Sequence, residues 1–319
     1  MRHRHSEPTL RRRLHLGLAS LLLQADCHAG AFIFAGEANG LDVVTHPTSY
    51  TGVGGSVTVR VCIAPGSPNA AAMEIPVQNS ITIWNRLQPT TGNLLLGGSN
   101  NIPSSAVDFE STTLRELGHC IGLAHPNAAT ESGLSGNDRN YTKATDGANN
   151  VFDINAGTDV VIGSQDDVRG DDGNLHWYRK SNNNPFTIAS IVDSTSYARD
   201  LADLPSGHSF ATNADRTVAS LLGVPNTEAV MQQGAFFDEA KRTLTHDDVA
   251  TLRYAASGLN EVAGTSDDYT IELEYGGISS SNCDINLDFD DTKTGFAAEA
   301  ARAQGRATAS GQTKALWCE

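Results

Sequence analysis

Residues Leu114 to Pro126 read LRELGHCIGLAHP, and their spacing decides how the rest of the chain is read. On a helix, residues four apart share a face, so side chains at 115 and 119 point the same way. Imidazoles at both positions could grip one metal ion. A carboxylate one step on, turned roughly 100° away, reaches a metal-bound water instead. Glu116 stands at the carboxylate position and His119 at the second ligand position. Gly122 suits the left-handed conformation that ends helices, which would let the chain swing His125 toward the same ion. The first ligand position holds Arg115. A guanidinium keeps its proton at physiological pH and has no lone pair to offer, so it cannot be a ligand.

Upstream, several residues from Asp108 to Ser111 can cap this helix, and Glu110 suits its first turn. Leu114, Leu117 and Ile121 form its core face. The segment SVTVRVCIAP (56–65) sets Val57, Val59, Val61 and Ile63 on one side of an alternating pattern, which predicts a half-buried strand. The next segment, MEIPVQNSITIWNRL (73–87), sets Val77, Ile81, Trp84 and Leu87 at helical spacing, with Pro76 expected in the first turn. NLLLGG (93–98) predicts another strand. Strands alternating with amphipathic helices indicate a mixed α/β domain.

Downstream, residues 127–223 are rich in Asn, Asp, Gly and Ser and predict a loop-dominated insertion. Within it Asp153, Asp159, Asp166, Asp167, Asp171 and Asp172 crowd together among glycines. Such a cluster suits calcium, which takes six to eight oxygens, although the EF-hand spacing is not met and a solvated acidic loop is the alternative. A fragment of it recurs as AGTSDD (263–268). Thr245 followed three residues later by Asp248 is a capping-box pattern opening a helix, with His246 in its first turn. YTIELEYGG and CDINLDFDD alternate like strands and predict a short β-rich C-terminal extension over 259–319.

The chain has 319 residues, 39% of them hydrophobic and 18% charged, with a net charge of −15. Its first 30 residues carry five arginines against two acids, so the remainder stands at −18. That balance argues against nucleic acid or an anionic membrane as a partner. The basic start, the apolar run Leu14–Leu23 and the small residues near Ala29 predict a secretory signal over 1–31, with 32–258 as the main domain. No segment is long enough to span a bilayer. Loss of the signal would leave Cys62, Cys120, Cys283 and Cys318, which permit three pairings. Closure of the C-terminal segment favours Cys283 with Cys318. Cys120, inside a helix, is as readily a buried thiol as half of a bridge.

RELGHCIGLAHP resembles the HExxHxxGxxH helix of the metzincin zinc endopeptidases, a group that includes matrixins and serralysins, with Arg115 in place of the first histidine. VMQ (230–232) followed by LTHDDVATLRYAASG (244–258) is similar to the matrixin Met-turn and terminal helix. The resemblance implies a mixed twisted sheet, an active-site helix, a Met-turn and a terminal helix, interrupted by the acidic insertion. It implies Glu116 as general base, His119 and His125 as zinc ligands, Met231 as the floor beneath the metal, and a peptide or protein substrate. Arg115 departs from this pattern, since two imidazoles fall short of the three protein ligands of a catalytic zinc. Two readings follow: a secreted zinc-dependent endopeptidase, and a catalytically inactive extracellular binding or structural module, stabilised by calcium.

Overall fold

The structure is a computed structural model, and it describes residues 32, 44–47, 49–123, 177–181, 184–198, 203, 214–232 and 236–289. The expected signal segment and the six clustered aspartates lie outside these residues, as do His125, Cys27 and Cys318. Strand β1 (Gly55–Ile63) buries Val59, Val61 and Ile63, as its alternation predicts. Helix α1 (Ala70–Arg86) buries Ala70, Met73, Val77, Ser80, Ile81 and Trp84 along one stripe. It begins at Ala70, before the first-turn position that its proline suggests, so Pro76 lies in the interior. Proline removes one ladder donor there. The buried residues on both sides of it, Met73 and Val77, hold the helix through that gap.

β2 (Leu94–Leu96) leads into a short 3-10 turn, and α2 (Phe109–Cys120) carries the quoted stretch. Beyond it come β3 (Tyr178–Arg179), β4 (Tyr197–Ala198), the short α3 (Arg216–Leu221), β5 (Glu239–Lys241) and α4 (His246–Ala255). The last strands are β6 (Tyr269–Ile278) and β7 (Ile285–Leu287). The principal sheet has the order β6-β1-β7, and both pairings are parallel. β1 and β6 run in register from Gly55↔Tyr269 to Val61↔Tyr275, after which the register shifts. β2 pairs antiparallel with β5, and β3 with β4. The fold is mixed α/β. The strands expected in the C-terminal extension form, but they flank β1 within the main sheet, because their apolar residues Leu273, Ile285 and Leu287 join the principal core.

α1 packs on both β6 and α2. Trp84 Nε1 donates to the Leu114 carbonyl at 2.9 Å, which fixes the two helices against each other. At the end of α1, the Asn85 side chain donates to the Leu273 carbonyl (2.9 Å) and accepts from its N–H (2.8 Å). One amide thus satisfies both backbone groups of a residue in the middle of β6. The expected insertion is more than loop, since Trp177, Ala189, Val192 and Tyr197 all enter the principal core. Trp177 lies against Tyr254 of α4 with ring centroids 4.3 Å apart. Scattered aromatics in a polar segment leave no periodic trace, which is why composition hides them.

The expected closure of Cys283 on Cys318 is corrected: Cys283 bonds Cys62, 221 positions away. The parallel pairing of β7 with β1 brings the two cysteines together, with a Cα–Cα distance of 5.8 Å. Cys120 is also disulfide-bonded, so it is not the free thiol its burial would suit.

Candidate functional site

The site is organised around α2, whose two ends are both anchored. At its start Asp108 accepts from the Ser111 N–H at 3.1 Å, a side-chain N-cap. The same carboxylate takes two bonds at 2.8 Å from Arg242, just beyond β5. Ser111 Oγ accepts from the Lys241 N–H at 2.7 Å, which ties the first turn to β5. At the other end the Leu123 N–H reaches the Gly118 carbonyl (3.0 Å) and the Gly122 N–H the His119 carbonyl (2.9 Å). This crossed pair is the Schellman arrangement, and Gly122 stands at φ +103° as it requires. A Cβ there would also lie 2.9 Å from Thr45 Cγ2, so glycine is needed on two counts.

His119 is 8% exposed and its Nδ1 lies 2.8 Å from the Leu123 carbonyl. A carbonyl only accepts, so Nδ1 carries the proton and Nε2 holds the lone pair, the tautomer in which histidine binds metals. Burial lowers the basicity of this ring. Glu116 acts against that shift and Arg115 acts with it.

Arg115 turns toward its neighbour: its Nε and Nη2 donate to Glu116 Oε1 at 3.1 and 2.8 Å. Adjacent helical side chains diverge, so the guanidinium folds back to make this contact. The two side chains are 11% and 22% exposed. The carboxylate expected to serve as a base is therefore in an ion pair.

Met231 lies below the helix, 2% exposed. The contact depends on Gly118, where a Cβ would come within 2.3 Å of Met231 Sδ and 2.9 Å of Trp84 Cζ2. The turn carrying Met231 is held from α4: Asp248 accepts from the N–H groups of Val230 (3.0 Å), Met231 (3.1 Å) and Thr245 (2.8 Å). The expected capping box is present, so one carboxylate caps α4 and pins the turn. Burial pushes the Asp248 carboxyl up, against four donors that favour its charged form.

Beside α2 a cavity is lined by Val107, Thr112, Arg115, Val230, Phe236 and Glu239. Its far wall rests on a buried charge cluster that sequence reasoning missed. Glu228, fully buried, accepts from Lys241 Nζ at 2.6 Å and forms a two-pronged pair with Arg216. Arg216 also holds Glu239 and lies 5.1 Å from the Phe236 ring centroid. Buried charges persist only when paired, and here each has an opposite partner. No local pattern signals such a network, whose members come from three separate segments.

The structure brings Arg115, Glu116, His119 and Met231 together. Among the described residues no group of three or more His, Cys, Asp and Glu side chains could hold a metal. His46 faces the Tyr269 hydroxyl at 3.0 Å, and His246 is the first residue of α4. The AGTSDD loop spends its carboxylates internally: Asp267 accepts from Asn260 and Thr265, and Asp268 from Gly264 and Thr265. No helix of the described residues is long and apolar enough to cross a membrane. No protein-family model, curated protein or solved structure matches this chain.

Proposed function

We propose that this chain is a secreted scaffold of the metzincin kind, a binding or structural module that, with Arg115 at the first ligand position, does not hydrolyse peptides. The observation that carries this reading is the guanidinium bonded through two N–H groups to Glu116 Oε1. It is a permanent cation with no lone pair, set where the site needs a donor, and it occupies the carboxylate that would otherwise act as base. The residues present therefore do not fit zinc.

The scaffold reading draws support from the helix ended by a left-handed Gly122, the buried His119 and Met231 seated against Gly118, in the order the metzincin pattern has them. The same features favour a second reading, a working endopeptidase in which another donor makes up for Arg115. His119, protonated on Nδ1, is already the tautomer such an enzyme would use. Calcium on the acid-rich segment 153–172 belongs to both readings as a stabilising ligand.

The two readings separate on one variant. The purified wild-type chain should hold well under one zinc per molecule and leave a peptide library intact. Arg115→His should raise both zinc content and cleavage. Full zinc occupancy with equal cleavage by the two proteins would overturn the proposal in favour of the endopeptidase.

A further inference from the structure

We propose that the Arg115 guanidinium is a built-in replacement for a bound cation: it neutralises Glu116 permanently and makes the packing of α2 on the Met231 turn independent of metal. The inference rests on the scaffold reading above and adds what maintains the site once a metal no longer does.

Three observations carry it. First, the contact is made against helix geometry, since residues one apart do not face each other, yet Nε and Nη2 both reach the same oxygen at 3.1 and 2.8 Å. Second, the pair is shielded, at 11% and 22% exposure, where a carboxylate without a counter-charge is poorly solvated. Third, Arg115 and Val230 line the same cavity, so the charge pair and the turn that Asp248 pins border one space beside α2.

A site that has lost a ligand while keeping its carboxylate would otherwise hold an unbalanced charge. Arginine removes that imbalance with a fixed charge on the chain itself, and the fold gains freedom from the metal supply.

Thermal unfolding of the full chain tests this. With calcium held in excess, the wild-type midpoint should be unmoved by a zinc-selective chelator and by added zinc. Arg115→Met, which keeps length and removes charge, should lower the midpoint by about 2–4 °C. Measured beside Glu116→Gln, the double variant should recover most of the Arg115→Met loss, since the carboxylate left without its guanidinium is then gone. If Arg115→Met does not fold, folding of the double variant supports the proposal and its failure to fold overturns it. Additive losses, or a wild-type midpoint that falls with the zinc-selective chelator while calcium is in excess, also overturn it. These readouts are independent of cleavage: a wild type that neither binds zinc nor cleaves, yet shows additive losses, would leave the scaffold reading intact and remove this one.

Discussion

At the scale of single residues, the site depends on one missing side chain as much as on those present. Gly118 allows Met231 and Trp84 to approach the α2 backbone, and Trp84 is tethered through Nε1 and cannot easily retreat. Gly118→Ala gains helix propensity of about 1 kcal/mol but overpacks by about 1–3 kcal/mol. A net destabilisation is expected, read as a lower denaturant midpoint, together with a displaced Met231. Asp108 supplies a second test. Burial opposes its charge, but bonds from Arg242 and Ser111 prevail and hold the carboxyl below the ordinary range. A carboxylate whose pKa is depressed on folding stabilises the native state fully above its unfolded value, and that contribution is lost as pH falls through the folded one. Unfolding midpoints measured from neutral pH downward should therefore decline through the acidic carboxylate range, and Asp108→Asn should flatten part of that decline. Both residues are visible in the sequence, Asp108 as a cap; the role of Gly118 is not, because the side chains it admits come from α1 and a distant turn.

Among elements, legibility followed locality. α2 could be read from Asp108 to Gly122 because its cap, its apolar face and its stop signal are all written within one short stretch. The capping box of α4 was legible for the same reason. The start of α1 is not legible, since a proline normally marks the first turn and only the buried stripe through Ala70 and Met73 outweighs that signal. The Glu228 cluster was invisible, since charged residues in sequence read as solvated until their partners are known. β6 adds a test of its own. Asn85 satisfies both backbone groups of Leu273, as a neighbouring strand would, and so blunts that edge against pairing with another chain. Asn85→Ala should leave the monomer folded but raise its tendency to self-associate, measured by sedimentation or light scattering over a range of concentrations.

On the scale of the whole molecule, nothing local announces that β6 and β7 flank β1, because parallel pairing is settled by which apolar faces meet rather than by any turn. The disulfide from Cys62 to Cys283 fastens that arrangement across 221 positions. This has a consequence for the order of events at birth. β1 leaves the ribosome long before either of the strands that hold it. At synthesis rates of about 5–20 residues per second, β1 must wait many seconds without a sheet to join. Folding dominated by such remote pairings is slow. A nascent chain of this design keeps its sheet open, and its two sulfurs apart, until synthesis has passed Cys283, so the early segment cannot lock itself before its late partners exist.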